Sequence, residues 1–216
     1  VDLPHSALGG AHADFTSSYA DRAAPAAVAG DIGDPATGTR LVREAVARFG
    51  RVDVLVNNAG VFAGKPFTEV TEQDLDGYLG GNLKGTYFTT QAVVRRLREQ
   101  GGGGAIVNIG TVLVEHAAAG LQASAALVSK GGVHALTTSL AAELAADGIR
   151  VNTVAPGVIR TPMLEGADVA AAGRLALMNR VGEVDEITAA VLYLADAEFT
   201  TGHTLNVDGG YVTGRA

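Results

Sequence analysis

Four short apolar runs, each breaking off into small or turn-forming residues, constrain this fold more than any other feature of the chain. They are "VDVLVNN" (52–58) before Ala59-Gly60, "AIVNI" (105–109) before Gly110, "IRVNTVA" (149–155) before Pro156-Gly157, and "HTLNV" (203–207) before Asp208-Gly209-Gly210. Apolar runs of strand length without polar alternation are strands buried on both faces. Helical stretches stand between them. After Asp34, an N-cap residue, and Pro35, suited to a first helical position, Val42, Ala45, Val46 and Phe49 form one apolar stripe. Thr71 to Asp74 has the form of a second helix cap. Residues 83–100 read as a long helix stopped by the glycines at 101–104, residues 122–146 as an Ala- and Leu-rich helix, and residues 184–195 as a last one. "AVAGDIGDP" (27–35) predicts a further short strand ending at Asp31. Strands alternating with helices define an α/β chain with a parallel sheet covered on both faces. The 216 residues read as a single domain, with residues 1–26 irregular or truncated.

Composition narrows the functional classes. Lys and Arg number 16 against 23 Asp and Glu, a formal charge of -7. That balance argues against nucleic acid as a partner, which calls for basic surface. The absence of cysteine excludes disulfides and thiolate metal sites, and no metal centre is expected. No run approaches the roughly 20 apolar residues of a membrane span, and no secretory signal is legible. The expected location is cytoplasmic, with no membrane partner.

The ordered motifs "NNAG" (57–60), "GNLKGTYFTTQAV" (81–93), "IVNIG" (106–110), "SKGGVHALTTSLAAELAADGIRVNTVAPGVIRTPM" (129–163) and "LNVDGG" (205–210) resemble the short-chain dehydrogenase/reductases. The resemblance runs from about residue 28 to the C-terminus. It implies a doubly wound, Rossmann-type sheet and hydride transfer between NAD or NADP and a carbonyl or alcohol carbon. It also implies a homo-tetramer or dimer in which helices 83–100 and 122–146 pair across subunits. Cofactors in such sheets lie beyond the carboxyl ends of the strands. On this likeness Asp31 and Ile32 border the adenine, and Asn58, Ala59 and Gly60 form a turn against the adenosine. Pro156, Gly157 and Thr161 border the nicotinamide. Lys130 bonds the nicotinamide ribose, and Asn82 steadies Lys130. Asp2 matches a position that often selects the cofactor, which favours NAD slightly over NADP.

The chain departs from the family in three places. The family's catalytic tyrosine stands four residues before the lysine, on the same helix face. Here that position is Ala126, which has no proton to exchange. The family's carbonyl-polarising serine stands two residues nearer the tyrosine than Thr111 does to Ala126, at the position of Leu113. Either the loop is two residues longer and Thr111 serves, or that contact is lost. The third departure is the start: the first strand and its Gly-rich, pyrophosphate-holding turn have no counterpart, since Gly9 and Gly10 lack the spacing. The first strand is thus missing or replaced, and the expectation is a piece of a longer chain.

His116, beside Glu115 in the loop lining the substrate pocket, is a candidate replacement acid. Ser124 and Ser129 are turned away from the Lys130 face, and His134 reads as a packing residue one turn further on. The reading carried forward is an NAD(P)-dependent oxidoreductase with an altered active site, acting on a small, mainly apolar molecule. Its pocket is formed by residues 111–121 and 158–180, including Met163, Leu164, Leu177 and Met178. Two alternatives stand beside it. One is a redox-silent partner subunit, in a hetero-oligomer with an active relative. The other is a non-redox enzyme on the same scaffold.

Overall fold

The computed structural model describes residues 26–214. Four strands, β1 (Val54–Asn57), β2 (Gly104–Ile109), β3 (Ile149–Pro156) and β4 (Thr204–Val207), form one sheet in the order β1-β2-β3-β4. Every pair is parallel: Val54 lies opposite Ala105, Gly104 opposite Ile149, and Thr153 opposite Thr204. The helices are α1 (Pro35–Phe49), α2 (Glu72–Tyr78), α3 (Gly85–Gln100), α4 (Ser124–Leu144), α5 (Val169–Gly173) and α6 (Val184–Asp196). The parallel sheet flanked by helices is that of a Rossmann-type fold.

Adjacent residues of β2 feed two cores, because successive strand side chains point to opposite faces. On one face Ile106 joins Ile149 and Val151 beneath Val93, Val94 and Leu97 of α3 and Ala141 and Leu144 of α4, with Leu55 and Val42 packed alongside. On the other, Val107 and Val154 meet Ala190 and Leu194 of α6. The expected caps are in place. Asp34 accepts the Ala36 amide at 3.0 Å, and α1 ends at Gly50, whose φ of 81° suits glycine. Thr71 and Asp74 form a reciprocal capping box on α2.

Two expectations fail. Residues 27–31 form no strand: the segment is irregular and turns into α1, and no neighbouring strand among the described residues offers it a ladder. The run 52–60 is a strand only over Val54–Asn57, and it is not buried on both faces. Val54 and Val56 are 45% and 41% exposed, because among the described residues no helix covers that side of β1 and no strand lies beyond it. The side chain of Gln100 partly substitutes for a neighbour, since its amide both donates to the Val52 carbonyl and accepts the Val52 N–H. Residues 1–25, including Asp2, Gly9 and Gly10, lie outside the described residues.

The asymmetry of β1 and β2 predicts unequal costs. Ile106→Ala, at a site with no exposure, should cost about 2–5 kcal/mol in denaturant unfolding, whereas Val56→Ala should cost less than about 1 kcal/mol.

Candidate functional site

Four parallel strands place four carboxyl ends along one edge of the sheet. The exits are Asn58–Gly60 after β1, Gly110–Thr111 after β2, Gly157–Thr161 after β3, and Asp208–Gly210 after β4. Helix α4 brings Lys130 to this edge, where its Nζ donates to the Ile109 carbonyl at 2.6 Å. Burial pushes the Lys130 ammonium down to about 8. Gly60 lies beside it. A Cβ at residue 60 would stand 2.8 Å from Asn82 Oδ1 and 3.4 Å from Lys130 Nζ, so the glycine shelf, the asparagine and the lysine are neighbours.

Asn82 is fully buried and sits in a π-helical turn, Leu79–Lys84, between α2 and α3. A π turn rotates residues off the α-helical register and is frequent at functional sites. The side chain holds three groups. Its Oδ1 accepts the Val61 N–H at 2.8 Å, and its Nδ2 donates to the Val61 carbonyl at 3.0 Å and to Ser129 Oγ at 2.9 Å. It therefore ties the exit of β1 to α4 directly, one residue before Lys130. The sequence carried a signal for the turn in Gly80-Gly81; nothing in it pointed to Ser129 as the partner of Asn82.

Ala126 is fully buried, and its carbonyl accepts from Ser129 Oγ at 2.7 Å. Thr111 begins the 3-10 turn Val112–Val114, with its Oγ1 accepting the Leu113 N–H at 3.3 Å and its own N–H donating to His134 Nε2 at 3.5 Å. His116 is exposed and lies against the C-terminal segment. Its ring meets Tyr211 edge to face at 5.4 Å, and its carbonyl accepts from the Tyr211 hydroxyl at 3.1 Å. Glu115 accepts from Asn206 at 3.0 Å. Both side chains of the loop are engaged by residues following β3.

Asp31 is exposed, with Oδ1 accepting the Gly33 N–H at 2.8 Å, an Asx turn that leads into α1. Ile32 packs where a Cβ of Gly85 would be, within 2.8 Å of it, at the end of the π turn. Gly157 is required for a packing reason: a Cβ there would stand 2.8 Å from the Cα of Asp208. Thr161 precedes the turn Pro162–Leu164 and makes no cap with its side chain. Leu177 and Met178, with Val158, Ile159 and Val207, line a cleft of about 450 Å³ beyond β3 and β4, and Met163 is exposed. Among the described residues no group of acids and histidines could hold a metal ion, and no helix is long and apolar enough to cross a membrane.

The depressed lysine sets a sign for stability against pH. With a folded value near 8 and an ordinary value of 10.5, the unfolded chain binds more protons between the two. The cost of burying the ammonium is present in full below pH 8 and relieved as pH rises from about 8 towards 10.5. Unfolding free energy measured across that window should rise in the native chain, and Lys130→Met should remove the Lys130 share of the rise.

Known proteins share much of this sequence and fold. The family described as enoyl-(acyl carrier protein) reductase matches residues 5–212. The 3-oxoacyl-[acyl-carrier-protein] reductase FabG of Thermotoga maritima is 40% identical over 178 residues, 80% of this chain and 71% of that protein. D-threitol dehydrogenase of Mycolicibacterium smegmatis is 39% identical over 208 residues, 94% of this chain and 79% of that one. The structure of ElxO with NADP bound superposes with a TM-score of 0.85 at 30% identity, covering 93% of this chain and 83% of that one. The chain belongs to the short-chain dehydrogenase/reductase family.

Proposed function

We propose that this chain is an NAD(P)-binding oxidoreductase of the short-chain type, with an altered active site, acting on the carbonyl or alcohol group of a small, mainly apolar molecule. The observation that carries the reading is the cluster of Gly60, Asn82 and Lys130 at the carboxyl edge. There an ammonium sits beside a turn that has no room for a side chain. The residues fit a dinucleotide in kind. Asn58, Ala59 and Gly60 are exposed, and Lys130 has donors left over after its bond to Ile109 for a ribose hydroxyl. Names of relatives support the same chemistry: FabG is a reductase, and ElxO has been seen with NADP.

A bound nicotinamide supplies or takes the hydride. The chain's own work is positioning and proton handling. Asn82 fixes the Val61 backbone, and with it the shelf at Gly60. The Thr111 hydroxyl is the donor at the β2 exit that can face a carbonyl oxygen. With Ala126 in place of a phenol, the proton comes from the Lys130 ammonium, which burial has brought near a useful range, or from water. His116 is a poorer candidate, because its ring rests on Tyr211. Loss of a positioned acid costs about 10²- to 10⁴-fold, so turnover is slow. Ala126, which has no proton to exchange, supports a second reading, a redox-silent relative that binds cofactor or a partner subunit without turnover.

Nicotinamide fluorescence on mixing with NADH and NADPH tests the proposal. The expected result is saturable binding that weakens by about tenfold or more in Lys130→Ala, the scale of a charge-assisted hydrogen bond. Binding should also weaken as pH rises through about 8, where the ammonium loses its proton. Absence of binding to either cofactor would sink the reading. Binding without any turnover of a broad carbonyl panel would select the redox-silent alternative.

A further inference from the structure

Helix α4 touches the exit of β2 through two side chains one helical turn apart. Lys130 Nζ donates to the carbonyl of Ile109, and His134 Nε2 accepts the N–H of Thr111. The residue between, Gly110, keeps its ladder bond to the Val154 carbonyl at 2.8 Å. Its lack of a side chain is what admits the imidazole. A Cβ at 110 would collide with His134 Nε2, and would stand 3.0 Å from His134 Cδ2 and 2.7 Å from Thr153 Cγ2. Three consecutive residues of the strand exit are therefore held, two of them by one face of α4.

We propose that His134 is a positioning residue: as a neutral acceptor it fixes the Thr111 turn, and so the direction of the Thr111 hydroxyl, relative to Lys130. An Nε2 that accepts carries no hydrogen, so the ring is the neutral tautomer protonated on Nδ1. Burial lowers the imidazole's affinity for protons and Lys130 adds to the effect, while Glu115 opposes it. Among the described residues these are the charged groups acting on the ring, one from α4 and one from the end of the turn. When pH falls through the lowered value, the ring gains a donor at Nε2 that faces the donor of Thr111, and the pin opens. The neutral ring's contribution to stability is thus present above the ordinary value of 6.5 and lost as pH falls through the folded value. That Thr111 serves the reaction rests on the proposed function; the pin itself does not.

Nitrogen-detected NMR of the full chain tests it. Expected are an Nδ1-protonated imidazole for His134, a midpoint below 6.5, and a Thr111 amide resonance that titrates with the same midpoint. In His134→Leu, Thr111 amide exchange should quicken by about fivefold to tenfold, and His134→Gln, which restores an acceptor, should reverse most of that change. An Nε2-protonated ring, or a Thr111 resonance that ignores the His134 titration, overturns the proposal. If His134→Leu does not fold, the titration of the native chain still decides. NADPH affinity measured on the native chain separates the two claims: its absence overturns the functional reading, while the tautomer and titration of His134 still decide the pin.

Discussion

The parallel register of the sheet is the constraint from which the rest follows. Because β1 to β4 run the same way, Gly60, Thr111, Gly157 and Asp208 all leave the sheet at one edge, although nearly 150 residues separate the first from the last. Loops at such an edge are held by strands buried beneath them, so polar groups can be carried there while the apolar cores stay closed. Ile106 and Val107 show the division: each anchors a core on its own side, and two residues later the carbonyl of Ile109 is available to a lysine.

Lys130 is held at the edge of the sheet by the carbonyl of Ile109, close to Gly60 and Asn82. Desolvating an ammonium is costly unless it is well bonded. Lys130 has a single protein acceptor in the described residues, and its affinity for protons is depressed accordingly. A purely structural site would be better served by an apolar side chain of the same length. Asn82 adds to the case, since its buried amide ties the β1 exit to α4 through Val61 and Ser129. Lys130, Asn82 and Gly60 thus meet at the carboxyl edge of the sheet.

Among the described residues, the two ends of the sheet differ in how far they are covered. β3 lies between two neighbours and beneath helices on both sides, whereas β1 presents Val54 and Val56 outward. Parallel strands are ordinarily covered on both faces, and among the described residues no strand or helix covers the face of Val54 and Val56. Gln100 satisfies the backbone of Val52.

Much of this was written in the sequence. Apolar runs ending in small residues defined the strands, Asp34-Pro35 and Thr71–Asp74 defined helix starts, and the ordered motifs defined the family, because these signals are local and need only neighbours in the chain. The spacing of Ala126 and Lys130, one helical turn apart, is likewise local. What the tertiary structure alone decided is contact between distant segments. The pattern at 27–31 reads as a strand, but a strand exists only with a partner to pair with, and 52–58 reads as buried, but burial needs a cover. Gly157 is legible as a strand-end glycine, but the close pass of Asp208 that leaves no room for a Cβ there is seen only in three dimensions. His134 reads as packing, and only the missing side chain of Gly110, 24 residues earlier, lets its ring reach the Thr111 amide. Sequence records propensity along one dimension; which polar groups find each other across the edge of the sheet is set by three-dimensional register.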